Sequence, residues 1–310
     1  MHNSQRIIVR AISEICSEHA IELKTYSYDW IMKLSYKSRE MFIYGYQFPL
    51  NGAVADALCK DKSATYELLK ECKIPAIPHL YFTCPEWKHY VGGSDDQQRL
   101  NDLLSEYGML VLKPNEGTGG RDVYFVDRVE TVLEAQMKIF KRNDAMAVSP
   151  FFQIEDEYRT IVLNDTVKIT YKKKRPSVIG DGVKNVALLA HEKYSGLVEV
   201  APSVDLNYVP LAGAEFILSQ KHNLGLGGEA QDVDDSVLLQ QIEELAIKVA
   251  KIITIRFAAV DIVILSGVPY VLEINSGVMA ENYGSTSKAN YDKIKKIYEE
   301  AINEDLKFMM

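Results

Sequence analysis

The stretch 258–277, AAVDIVILSGVPYVLEINSG, restricts this chain more than any other. Two apolar runs rich in β-branched residues flank a Ser-Gly pair, which predicts a β-hairpin turning at Gly267. If pairing is symmetric about that glycine, Asp261 faces Glu273, and Asn275 shares their side of the sheet because side chains alternate with a period of two. Ile262, Ile264, Leu272 and Ile274 then take the opposite, buried side. Facing carboxylates in a sheet repel by about 0.2 to 1 kcal/mol, more when shielded from water. A divalent cation would remove that cost, and oxygen donors with open positions suit Mg²⁺, or Mn²⁺, better than zinc. A solvated acidic face is the plainer alternative.

Composition bounds the rest. The 310 residues are 47% hydrophobic and 25% charged, which is the profile of a folded chain of about two domains and excludes disorder. With 35 Lys and Arg against 43 Asp and Glu, the net charge of -8 argues against a large nucleic-acid footprint. No run approaches the roughly 18 apolar residues of a membrane span, and MHNSQRIIVR lacks the pattern of a secretory signal. A cytoplasmic protein with no membrane partner is expected. Cys16, Cys59, Cys72 and Cys84 are scattered, so reduced and partly buried thiols are expected rather than a zinc site or disulfide framework.

The spacing of apolar residues predicts a helix over 6–19, short strands near 21–26 and 41–44, and a helix after Asp61 that Pro75 and Pro78 close. A loop over 84–98 should lead into a helix over 99–107. Strands follow at 109–113, 122–126, 146–152 and 158–163, with a helix at 129–142. After a glycine-rich loop at 212–233 comes a helix over 236–253, whose Leu238, Ile242, Leu245, Val249 and Ile252 form one stripe. The hairpin and a terminal helix complete an α/β chain.

Two further constellations carry chemistry. Lys113-Pro-Asn-Glu-Gly-Thr-Gly-Gly-Arg121 lies between two strands, so it is not a Walker loop, which needs a helix under the phosphates. Gly117, Gly119 and Gly120 instead tip a hairpin whose backbone N–H groups can form an anion nest, with Lys113 aimed at it; an ordinary flexible hairpin is the alternative. Arg159, the run Lys172, Lys173, Lys174, Arg175, and Lys221 with Asn223 are basic or polar in a chain that is acidic overall. Alone the run reads as a solvated face. Opposite a metal site it suits a transferring phosphoryl group.

Taken in order, DKSATYELLKECKIPAIP, VLKPNEGTGGRDVYFV, EYRTIVL, RPSVIGDGVKNVALL, VPLAGAEFILSQKHNLGLGGEAQDV and VDIVI with LEIN resemble the ATP-grasp superfamily, in particular the glutathione-synthetase-like and cyanophycin-synthetase-like carboxylate-amine ligases. The resemblance spans roughly 50–285. It implies an ATP-grasp fold with an N-terminal pre-ATP-grasp domain at 1–79, a central subdomain at 80–150 and a C-terminal subdomain at 151–310, the nucleotide lying between the last two. It implies ATP and Mg²⁺ as cofactors. Lys62 and Lys113 match the phosphate lysines; Glu116, Gly117, Thr118, Gly119 and Gly120 match the loop over the phosphates. Ser149, Phe151 and Phe152 match the adenine hinge, Glu157 the acid on the ribose, and Asp261, Glu273 and Asn275 the metal ligands. Arg159, Arg175, Lys221 and Asn223 match catalytic positions, with Lys174 as the other register for Arg175. Ser149-Pro150 stands where such hinges often carry an acid.

The implied activity is amide formation through an acyl-phosphate, on an amino acid or small peptide, from small-molecule carboxylate and amine substrates. An acceptor amine or thiol on a peptide, protein or carrier is one alternative, and a non-catalytic ATP-binding sensor is another. The aromatic residues Trp30, Tyr36, Phe42, Tyr44, Tyr46 and Phe48 are read first as core and second as a homodimer surface.

Overall fold

The computed structural model describes residues 6–92, 96–117, 119–195, 198–201 and 203–309. Helix α1 (Ile7–Glu18) is followed by a meander, β1 (Glu22–Tyr26), β2 (Ile31–Tyr36) and β3 (Arg39–Tyr44). Helices α2 (Ala53–Lys60) and α3 (Lys62–Glu71) lead to β4 (Leu80–Thr83). A 3₁₀ turn (Pro85–Trp87), α4 (Lys88–Val91) and α5 (Asp96–Tyr107) then precede β5 (Leu110–Pro114), β6 (Tyr124–Val126), α6 (Val129–Phe140) and β7 (Ala145–Pro150). Strands β4, β7, β5 and β6 form one sheet in that order.

Beyond it run β8 (Asp156–Leu163), β9 (Thr166–Lys174), β10 (Ser177–Ile179), α7 (Val186–Tyr194), β11 (Glu215–Ile217), a 3₁₀ turn (Leu224–Leu226) and β12 (Glu229–Gln231). Helix α8 (Ser236–Ile253), β13 (Phe257–Leu265), β14 (Val268–Asn275), α9 (Glu281–Gly284) and α10 (Lys288–Leu306) follow. A five-stranded sheet has the order β12-β9-β8-β13-β14, and β10 pairs with β11 beside it. No described helix is long and apolar enough to cross a membrane.

Several local expectations need correction. Strand β2, helix α2 and strands β10 to β12 lie where no element, or only loop, was expected, and the supposed loop 84–98 contains a 3₁₀ turn, α4 and the start of α5. Short polar segments such as Glu229–Gln231 carry too little periodicity to be read alone; pairing with β9 makes that one a strand. Helix α8 matches its expected span. Asp235 caps it by accepting from the Val237 and Leu238 N–H groups at 2.9 and 3.0 Å, and its stripe packs under the sheet with Tyr158, Val162, Val260, Ile262 and Ile274. Burying each such aliphatic side chain contributes about 1.5 to 3 kcal/mol. Of the thiols, Cys16, Cys59 and Cys84 are buried, whereas Cys72 is exposed; all are free.

The opposite face of the five-stranded sheet changes character along its strands. Ile161 and Leu163 on β8, Phe257 and Ala259 on β13, and Tyr171 on β9 pack against α1 and α10. Two residues further along the same face stand Arg159, Asp261 and Lys173. Period-two alternation therefore continues while chemistry switches from core to charge, and that switch marks the wall of a cleft.

Asn51 joins the N-terminal part of the chain to this sheet. Its Oδ1 accepts from the Arg256 and Phe257 N–H groups at 3.1 and 2.9 Å, and its Nδ2 donates to the Phe257 carbonyl at 2.8 Å. Replacing it by alanine leaves the entry to β13 without those partners. Asn51→Ala is expected to lower stability by about 1 to 3 kcal/mol, read as a fall in the urea midpoint at unchanged slope.

Candidate active site

The cleft floor is a run of buried charges on adjacent strands. Arg159 forks onto Asp261, its Nε and Nη2 donating at 2.8 and 2.7 Å. Lys173 Nζ lies 3.0 Å from Asp261 and 2.5 Å from Glu157, so it bridges two carboxylates. Asp261 is 1% exposed. Burial alone would raise its carboxyl, but the Arg159 and Lys173 charges hold it well below the usual range. Glu157 goes the other way: burial raises it, Lys173 opposes, and the Asp261 charge adds to the rise.

The hairpin pairs Asp261 with Glu273 as expected, although the register slips between Asp261 and Ile262. That bulge corrects one assignment. Val271 joins Ile262, Ile264 and Ile274 in the core, while Leu272 lines the cleft. Asn275 Nδ2 sits 3.3 Å from Asp261 and 3.4 Å from Glu273, so the three side chains converge. Their roles differ. Glu273 and Asn275 line the cleft, whereas Asp261 lies beneath, its oxygens taken by Arg159 and Lys173.

Two lysines face Glu273 from the other side. Asp61 caps α3 by accepting from the Ala64 N–H at 2.8 Å, which sets Lys62 at the first helical position. Asn115 fixes that start: its Oδ1 accepts from the Ser63 N–H and hydroxyl at 3.1 and 2.9 Å, and its carbonyl accepts from the Lys62 N–H at 3.2 Å. Lys62 Nζ donates to the Gly117 carbonyl at 2.5 Å. Lys113, at the end of β5, has no hydrogen-bond or ion-pair partner among the described residues. Burial pushes its ammonium down to about 8, against the pull of Glu273 and with the help of Lys62.

The loop between β5 and β6 is the expected hairpin tip. Gly119 and Gly120 have φ of +70° and +71°, which glycine adopts without strain, and with Gly117 they line the cleft. Glu116 is exposed and does not line it; Thr118 lies outside the described residues. Asn223 reaches across to this loop, its Nδ2 donating to the Gly119 carbonyl at 3.2 Å.

At one end the cleft has apolar walls made by Ile77, Val111, Phe151, Phe152 and Leu272. Ser149 opens onto it with a buried hydroxyl that has no partner among the described residues. The Phe151 N–H is already bonded to the Met109 carbonyl at 2.9 Å. Arg175 lines the cleft and donates to His222 at 3.0 Å, while Lys174 turns away from it to Glu215 at 2.9 Å. Lys221 lines the cleft and pairs with Glu199 at 2.8 Å. Burial, with Arg175 and Lys173 nearby, takes His222 down to about 4, so it is neutral at pH 7.

Sequence reasoning placed Lys173 in the basic run without singling it out, and gave Asn115 and Leu272 no part in the site. Lys173 was visible in principle: on β9 it shares the inward face with Tyr171, while Lys172 and Lys174 point outward to Asp156 and Glu215. As for Mg²⁺, Glu273 and Asn275 present oxygen donors of the kind it takes, with the Asn275 amide turned over and Asp261 behind them. The whole cleft encloses about 780 Å³, within the range of small-molecule sites.

Residues 215–299 match the family model of the RimK-like ATP-grasp domain, a stretch that includes β13 and β14. The bifunctional glutathione biosynthesis protein GshAB of Listeria innocua is 23% identical over 184 residues, covering 52% of this chain and 24% of that protein. The chain thus spans about a quarter of the length of the curated relatives it matches. A bifunctional glutathione synthetase from Pasteurella multocida superposes with a TM-score of 0.59 at 17% identity, over 95% of this chain and 43% of the other. D-alanine–D-alanine ligase from Bacillus anthracis gives 0.56 at 13% identity, over 83% and 69%. With this cleft between its two larger sheets, the chain has the fold of these ligases, and its residues 215–299 carry the match to the RimK-like ATP-grasp domain.

Proposed function

We propose that the chain is an ATP-dependent carboxylate-amine ligase. One observation carries this reading: Lys62 and Lys113 face Glu273 and Asn275 across a glycine-rich hairpin, in a cleft that has an apolar pocket at one end. The apolar walls suit a purine, with the Ser149 hydroxyl free for its polar edge and Glu157 near the ribose. The β and γ phosphates would then lie under Gly117, Gly119 and Gly120, between the two lysines. Glu273 and Asn275 would hold Mg²⁺ or Mn²⁺, which when bound supplies neutralisation of phosphate charge.

In this scheme a substrate carboxylate oxygen attacks the γ phosphorus, the bond to the β-phosphate oxygen breaks, and ADP leaves. The amine then adds to the acyl carbon, inorganic phosphate departs, and the amine loses its proton. Arg175, whose Nε, Nη1 and Nη2 donate to His222, Gln220 and the Ile154 carbonyl, would stabilise the oxyanion of that addition through its remaining N–H groups. Lys221 could join it by exchanging Glu199 for substrate. Arg159 is assigned a different task from the one its sequence position suggested: it holds Asp261 in place beneath the reacting groups. A non-catalytic sensor is the weaker reading, because a chain that had lost catalysis would be expected to lose some of these groups, whereas both lysines and both oxygen ligands are present.

Incubation with ATP, Mg²⁺ and a matrix of amino acids and dipeptides is expected to give ADP only when both a carboxylate and an amine are supplied. ADP release that ignores the second substrate would overturn the proposal. Glu273→Gln should lower the rate at least about 100-fold while leaving the melting temperature near wild type. Arg159→Met, by contrast, abandons a buried carboxylate and should cost about 3 to 5 kcal/mol of stability.

A pH dependence follows from Lys113. Bound phosphate raises the pKa of this lysine above its free value of about 8, so its contribution to affinity is complete below that pH and is lost as pH rises toward the bound-state value. ADP affinity should weaken above pH 8 by up to about tenfold per pH unit. Lys113→Met should bind weakly at every pH and show a flat profile in the same calorimetric titration.

A further inference from the structure

The end of the cleft beyond the metal-ligand segment differs from the rest. Its wall comes from the N-terminal meander: Trp30, Tyr44, Tyr46 and Gln47, facing Met279 and Asn282. Trp30 is 42% exposed and Tyr44 56% exposed, although both border a cavity. The indole is held in place. The Arg6 guanidinium lies 5.1 Å over its ring, and Tyr44 and Tyr46 meet it nearly at right angles, with centroids 6.1 and 6.2 Å away. Gly45 packs so tightly beneath it that a Cβ there would come within 2.7 Å of an indole carbon, and the Gly45 N–H donates to the Trp30 carbonyl at 2.8 Å. The Val278 N–H donates to the Tyr46 carbonyl at 3.1 Å, which ties this aromatic wall to the segment just after Asn275.

The charged groups here are already engaged. Lys60 pairs with Asp56 at 2.6 Å. Glu281 accepts from the Ile7 and Ile8 N–H groups at 2.6 and 3.1 Å. Arg6 covers a face of the indole and does not line the cleft. A substrate ending in a second carboxylate or an ammonium would meet on this wall, among the described residues, only Lys60 and Glu281, each already partnered, so its desolvation would be poorly compensated. A flat apolar group would bury area against a rigid aromatic surface at little entropic cost.

We infer that the substrate portion held beyond Asn275 is a neutral aryl side chain, on an amino acid or short peptide, packed against the exposed edge of Trp30 and the exposed ring of Tyr44. This rests on the ligase reading for the orientation of the nucleotide. Trp87 lies in the 3₁₀ turn (Pro85–Trp87), so a Trp87→Phe protein leaves Trp30 as its single tryptophan, excited selectively at the red edge where tyrosine does not absorb. With ADP and Mg²⁺ present, this protein is titrated with phenylalanine amide and N-acetylphenylalanine, and with the alanine and aspartate counterparts of each. The expected result is a saturable change in Trp30 emission, with at least one phenyl probe binding at least tenfold more tightly than its alanine and aspartate counterparts. Adding Tyr44→Ala should weaken that phenyl probe at least fivefold and leave ADP affinity within twofold. Equal affinity for all three side chains, or tighter binding of the aspartate probes, overturns the inference even where ligation of other substrates is observed. Selective binding of a phenyl probe together with its Tyr44 dependence supports the subsite, even where no substrate pair yields ADP and the ligase reading fails.

Discussion

The pairing of Asp261 with Arg159 and Lys173 is the constraint around which the cleft is built. A carboxylate that is 1% exposed could not stay ionised there without compensation. The fork from Arg159 and the bridge from Lys173 provide it, and because these three residues sit on β13, β8 and β9, the same contacts tie three strands together. Glu157 extends the chain of charges, and His222 approaches it at 3.5 Å. The result is a floor with fixed charges and little freedom to reorganise, which is the condition under which electrostatic stabilisation of a reacting group is most effective.

Much of this was legible in the amino-acid order. The span of α8, the glycine hairpin after Lys113 and the Asp261–Glu273 pairing all follow from local periodicity and turn chemistry, and the structure has each of them. What could not be read were the consequences of contacts between distant segments. Arg159 and Asp261 are 102 residues apart, so nothing local reveals that the arginine is committed to the aspartate. The bulge that sends Leu272 into the cleft depends on how β14 pairs with β13, and a count of alternating residues misses it. Asn115 looks like an ordinary loop asparagine until the start of α3 is seen against it.

The aromatic residues of the N-terminal meander illustrate the same limit. Phe48 is buried against Phe257 and Tyr298, as a core residue should be. Trp30 and Tyr44 have similar composition and nearby positions, yet they face the cleft. Composition alone cannot divide such a set; the turn at Gly45 does, by reversing the chain so that Tyr44 and Tyr46 flank the indole.

The hydrogen bond from Asn223 to the Gly119 carbonyl joins two segments that lie on opposite banks of the cleft. Because it is a single neutral bond to a backbone oxygen, it holds weakly, and the two banks can part once it breaks. Whatever the cleft holds beneath these segments would meet solvent there only when that one contact lets go.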